Sequence, residues 1–154
     1  MRIGASLILF AAVLVVAADK PPADGKKELE KLQGEWTIVS METRGKKSSD
    51  DEIKGHTLTV KGDQWTFKTG NGRASTAKVK IDDSKNPKQI DLTFQAGAKQ
   101  GPSRGIFKLE GDTMTLCRTR GDIPRPEEFK TTESAGLLVV WKKVAPTSPG
   151  APKK

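Results

Sequence analysis

The ten residues Leu58-Thr59-Val60-Lys61-Gly62-Asp63-Gln64-Trp65-Thr66-Phe67 decide the fold. Apolar and polar side chains alternate on both sides of Gly62-Asp63, and a Gly-Asp pair has the length and chemistry of a tight two-residue hairpin loop. Pairing Lys61 with Gln64 sets Val60 opposite Trp65 and Leu58 opposite Phe67 on one face, and leaves Thr57, Thr59, Thr66 and Lys68 on the other. The pattern returns at Phe107-Lys108-Leu109-Glu110-Gly111-Asp112-Thr113-Met114-Thr115-Leu116. There Leu109 faces Met114 and Phe107 faces Leu116, while Ile106 and Cys117 meet on the more polar side. Shared turn chemistry accounts for the likeness, because two copies are too few for a repeat architecture.

Outward from these hairpins, β-prone runs at 34–41, 74–81, 89–94 and 137–143 join 56–61, 64–69, 107–110 and 113–118 to give eight predicted strands. Clusters of Gly, Asp, Asn and Pro separate them. Alternation predicts that each strand shows one face to a core and one to water, the habit of antiparallel sheets. Residues 28–33, with Leu29 and Leu32 three apart, read as a helical turn; so do residues 50–55, acidic at the start and ending on Gly55. Neither is long enough to cover an open sheet. The expected fold is therefore all-β, an eight-stranded antiparallel up-and-down β-barrel, with a β-sandwich as the fallback.

The ends of the chain have another character. Residues 1–18 carry Arg2, an unbroken apolar run from Leu7 to Val16, and the small residues Val16-Ala17-Ala18, which is the pattern of a secretory signal peptide. The apolar stretch is shorter than the roughly 20 residues a membrane span needs, so no transmembrane segment is expected in the mature chain. Residues 19–27 and the Pro-rich residues 145–154 read as a disordered leader and tail around a domain at 28–144. The expected location is outside the cytoplasm, periplasmic or extracellular.

Composition removes several functions. One Cys and one His among 154 residues exclude an intramolecular disulfide and a structural Cys/His zinc site. The formal net charge of +8 invites a nucleic-acid reading, but residues 28–144 carry 21 basic and 17 acidic side chains, so half the excess lies outside the domain. The rest is mixed along strand faces, which fits solubility and no nucleic-acid partner.

The ordered series Leu32-Gln33-Gly34-Glu35-Trp36, Glu52-Ile53-Lys54-Gly55, Gly62-Asp63, Asn86-Pro87-Lys88-Gln89-Ile90-Asp91, Gly105-Ile106-Phe107, Gly111-Asp112-Thr113, Arg125-Pro126 with Glu128-Phe129, and Leu138-Val139-Val140 resembles a small exported domain recurring in planctomycete proteins. The resemblance covers almost all of 29–143 and implies a lipocalin-like β-barrel, with no activity and no functional residue to carry over. Gly34-x-Trp36 is also similar to the opening signature of lipocalins. That likeness implies that Trp36 plugs one barrel end against a basic residue of the last strand, here Lys142 or Lys143. The sequence departs from true lipocalins in lacking a Thr-Asp-Tyr element and in ending on a Pro-rich tail.

His56 and Cys117 are the only candidates for a base and nucleophile, but both fall on predicted strands with no glycine elbow, so no catalytic residue is expected. Asp50-Asp51-Glu52 and Asp82-Asp83 lack the alternating spacing of a calcium loop and read as helix-start and turn chemistry; no metal and no cofactor are expected. Gly70-Asn71-Gly72-Arg73 and residues 97–105 read as flexible connections at a barrel mouth rather than phosphate loops. Arg118, Arg120 and Arg125 form a basic cluster able to hold an anion, although local pairing of Arg125 with Glu127 or Glu128, and packing of Phe129 on the barrel, is the favoured reading.

The expected function is a non-enzymatic exported barrel that binds a small apolar ligand against Trp65, Phe67, Phe94, Phe107 and Leu116, or a partner at its mouth. The alternative is a structural or interaction module of the cell envelope, with envelope proteins as partners and a packed interior without ligand.

Overall fold

The computed structural model describes residues 25–95 and 101–146. The signal-like residues 1–18, the leader up to residue 24 and most of the Pro-rich tail lie outside the described residues. The chain runs α1 (Lys26–Leu32), β1 (Gly34–Thr43), β2 (Lys46–Lys47), α2 (Asp50–Ile53), β3 (Thr57–Lys61), β4 (Gln64–Lys68), β5 (Ala74–Asp82), β6 (Lys88–Phe94), β7 (Ser103–Glu110), β8 (Thr113–Arg120) and β9 (Leu137–Lys143). All pairings are antiparallel between sequence neighbours, apart from the small β2, and β9 returns to pair with β1. That last ladder closes an eight-stranded up-and-down barrel of lipocalin-like form and sets aside the sandwich. Closure leaves no open edge on the eight-stranded wall.

The Gly-Asp hairpins have the register their alternation predicts: Val60 pairs with Trp65 and Leu58 with Phe67, and Leu109 pairs with Met114 and Phe107 with Leu116. Gly62 and Gly111 take positive φ values of 59° and 58°, as a two-residue turn of this hand requires. In β1 the ladder to β9 shifts between Ile38 and Ser40. The extra residue is Val39, 52 % exposed, and the bulge lets Ile38 and Met41, an odd step apart, both reach the interior.

The two barrel ends differ. One is closed by α1, where Leu32 and Trp36 are fully buried. The indole Nε1 of Trp36 donates to the Leu32 carbonyl at 2.9 Å. Lys143 of β9 lies 5.4 Å from the Trp36 ring centre and donates to the Lys31 carbonyl. Of the two lysines named for this place, Lys143 occupies it. Gln33 fixes the helix end to the first hairpin turn by bonding both the carbonyl and the amide of Gly62. Helix α1 starts two residues earlier than expected: Lys26 and Lys27, assigned to the leader, are helical. Gly25 seats the helix against Ile81, so closely that a β-carbon would fall 2.6 Å from the Ile81 carbonyl oxygen. Glu28, also on α1, is buried with two ammonium groups on it, Lys31 at 2.7 Å and Lys88 at 2.8 Å. Burial pushes its carboxyl up, but the two lysines outweigh that and hold it below its ordinary value.

The other end is a mouth, to which the β1–β2 turn, the 69–73 turn and the long 121–136 connection contribute lining residues. Ser49 caps α2 in a reciprocal capping box with Glu52. The acids of α2 thus serve the helix start, as the sequence suggests.

Candidate functional site

Alternation along each strand decides which side chains enter the barrel. Near the closed end these are bulky: Trp36, Val60, Trp65, Ile81, Phe107 and Met114 are all essentially without exposure and fill the interior. Toward the mouth the inward side chains leave a cavity of about 470 Å³. Its apolar wall includes Ile38, Phe67, Phe94, Leu116, Val139 and Trp141. In that wall the Phe67 ring centre lies 6.1 Å from that of Phe94 and 6.3 Å from that of Trp141. At the rim stand Arg44, Lys68, Arg120 and Ile123, all exposed.

Of the five interior residues expected to meet a ligand, Phe67, Phe94 and Leu116 line this cavity. Trp65 and Phe107 do not; they belong to the packed half. The interior is therefore neither wholly filled nor wholly open. Trp36 lies at the closed end, remote in sequence register from the mouth.

The residue missed as an interior group is Arg118. The sequence ends the predicted 113–118 strand on it and counts it with Arg120 and Arg125 as a basic cluster; β8 continues to Arg120, and Met114, Leu116, Arg118 and Arg120 share one face. Arg118 therefore points into the barrel and lines the cavity, only 7 % exposed. Its Nη1 donates to Ser103 Oγ at 3.0 Å, and that hydroxyl, fully buried, donates onward to the Thr119 carbonyl at 2.6 Å. The guanidinium also lies 5.4 Å from the Phe94 ring centre. No carboxylate among the described residues pairs with it. Burial, and secondarily the like charge of Arg120, push its pKa down to about 9. The opposite ladder position is Gly105, where a β-carbon would come within 2.9 Å of Arg118 Cβ. The indole Nε1 of Trp141, in the same cavity wall, is buried and makes no hydrogen bond among the described residues.

The three arginines read as one cluster are separated by the wall. Arg118 is inside, Arg120 is exposed at the rim, and Arg125 is outside. Arg125 does not pair with Glu127 or Glu128. Its Nη2 bonds Asp91 Oδ1 at 2.6 Å, and its Nη1 reaches the carbonyls of Ile90 and Gly105. It thus straps the 121–136 connection to the outside of β6 and β7, a partner choice that sequence proximity could not reveal.

His56 and Cys117 are kept apart by the same wall. His56 lines the cavity, with Nδ1 2.8 Å from the Ile53 carbonyl oxygen. Cys117 pairs with Ile106 and Leu138 on the outer face. There it is buried beneath the 121–136 connection, its Sγ 3.4 Å from the Lys130 carbonyl oxygen. Burial pushes the thiol pKa up, which disfavours the thiolate. Phe129 of the connection is half-buried beside Lys108. Among the described residues no three His, Cys, Asp or Glu side chains gather as a metal site. Of the connection expected at 97–105, residues 97–100 lie outside the described residues, while Ser103 to Gly105 begin β7. No helix among the described residues is long and apolar enough to cross a membrane. No protein-family model, curated protein or solved structure matches the chain.

Proposed function

We propose that this chain is an exported, non-enzymatic binding protein whose barrel takes a small, mainly apolar ligand through its mouth. The observation that carries the reading is the cavity of about 470 Å³, walled by Ile38, Phe67, Phe94, Val139 and Trp141 and reached from the rim. Pockets of a few hundred Å³ with apolar walls and few polar groups are the usual form of small-molecule sites. A structural module would have little use for this void, since an unfilled apolar cavity costs stability. Export is inferred from the signal pattern of residues 1–18, and kinship with the planctomycete exported domains from the ordered motif series.

The test is titration with 1-N-phenylnaphthylamine, an uncharged apolar fluorophore, in the wild type and in Val139→Trp, which fills the cavity. Saturable binding in the wild type and its loss in a folded Val139→Trp variant support the reading. Absence of saturable binding, with no small molecule released on denaturing protein purified from its source, overturns it and favours the packed envelope module. Recovery from the periplasmic fraction with an N-terminus near Asp19 tests export; retention of Met1 in the cytoplasm would oppose it.

A further inference from the structure

We propose that the barrel's ligand is an amphiphile with a carboxylate head, which the guanidinium of Arg118 receives inside the cavity. The proposal rests on the reading of the cavity as a ligand site and names the class of ligand.

Two charged side chains are buried among the described residues, Glu28 and Arg118. Glu28 has two lysines on it. Arg118 has a neutral hydroxyl and an aromatic face, and no counter-charge among the described residues. A buried charge is tolerated when it is paired, and an unpaired one is an unmet demand for an anion. The bond to Ser103 occupies Nη1 and leaves the edge formed by Nε and Nη2 without an acceptor among the described residues. That edge presents two parallel N–H groups, the fork that matches a carboxylate.

The position of the arginine sets the ligand's orientation. Along the β8–β9 ladder, Met114 pairs with Trp141, Leu116 with Val139, and Arg118 with Leu137, in order from the filled end toward the mouth. A head on Arg118 therefore has the apolar wall of Leu116, Val139 and Trp141 below it for an alkyl body. Arg120, exposed at the rim, adds positive potential along the entry path. The site is built to hold the guanidinium where it is: the facing residue is Gly105, and Ser103, which fixes Nη1, is itself buried.

The experiment compares dodecanoate, dodecanol and dodecyl phosphate by isothermal titration against the full mature chain and its Arg118→Met variant. Arg118→Met keeps an unbranched apolar side chain and removes the charge. The expected result is dodecanoate binding about tenfold or more tighter than dodecanol in the wild type, with that preference lost in Arg118→Met and dodecanol binding retained. A carbon-13 label on the dodecanoate carboxyl should show its titration moved to lower pH on binding, as contact with a cation requires. Equal affinity for acid and alcohol in the wild type overturns the proposal while leaving the apolar-ligand reading standing. Preference for dodecyl phosphate assigns the head to another class and also overturns it. Failure of all three to bind, with failure of 1-N-phenylnaphthylamine, removes both readings together. The wild-type comparison and the carboxyl titration stand even if Arg118→Met does not fold.

Discussion

Gly105 faces Arg118 across the β7–β8 ladder, and the pair is possible because one of the two has no side chain. A β-carbon at Gly105 would lie 2.6 Å from the Cys117 carbonyl oxygen and 2.9 Å from Arg118 Cβ. Gly105→Ala should therefore force the two strands apart, with a cost of about 1–3 kcal/mol in urea denaturation. Because the displaced partner is Arg118, the same variant should weaken dodecanoate more than dodecanol. Wild-type stability with unchanged ligand preference would mean that the close approach has no such role.

Arg118→Met should have the opposite effect on the empty protein. It replaces a buried, unpaired guanidinium with an apolar chain, and Ser103 keeps its bond to the Thr119 carbonyl. A gain of about 1 kcal/mol or more is expected, since well-packed apolar replacements of buried charges are commonly neutral or stabilising. The urea midpoint without ligand checks it. A clear loss of stability would show that the bond to Ser103 outweighs the cost of burying the charge.

At the closed end, Glu28 makes stability depend on acid. Its folded pKa lies below the unfolded value, so its contribution is present above the unfolded pKa, near 4.5, and is lost as pH falls through the folded value. Thermal unfolding from pH 6 down to pH 3 should thus show a smaller drop in Glu28→Gln than in the wild type. At neutral pH the substitution should cost about 1 kcal/mol, modest because Lys31 and Lys88 are partly exposed, with side chains 58 % and 38 % accessible. Parallel pH curves for the two proteins would contradict the pairing.

Cys117 reports on the 121–136 connection that covers it. Buried, with its thiol pKa raised, it should react with 5,5′-dithiobis(2-nitrobenzoate) much more slowly in the native protein than after denaturation. Arg125→Ala removes the bonds to Ile90, Gly105 and Asp91 that strap the connection down, so it should speed the native reaction by about tenfold. Rapid labelling of the wild type would mean that the thiol is not covered.

The parts of this fold that were legible are those set by local chemistry. Gly62-Asp63 and Gly111-Asp112 fix two hairpins, and strict alternation beside them fixes which side chains go inward. The start of β7 was not legible, because Ser103-Arg104-Gly105 offers no apolar alternation; it is a strand because β6 and β8 pair with it on both sides. Arg118 was half legible. Its step of two from Leu116 was in the sequence, yet its charge and the neighbouring Arg120 suggested a surface connection. The β7–β8 ladder, which sets it opposite Gly105 and beside Ser103, shows that it stays inside as a buried charge.

The sequence by itself determined the all-β class and the registers of the two Gly-Asp hairpins, because hairpin turns and period-two patterns act between residues close in the chain. Closure through the β1–β9 ladder, which sets aside the sandwich, joins residues about a hundred apart and was decided by the tertiary structure. The likeness of Gly34-x-Trp36, at the start of β1, to the lipocalin opening implied the place of Trp36 at a barrel end. Tertiary structure alone decided how far the interior fills, since Trp65 and Phe107 pack while Phe67, Phe94 and Leu116 stay at a void. It decided too that Arg125 finds Asp91 rather than an acid beside it in the chain, and that Arg118 meets Ser103 and Phe94 and no acid among the described residues. Volume and charge compensation are sums over side chains brought together from distant strands. No local pattern contains them.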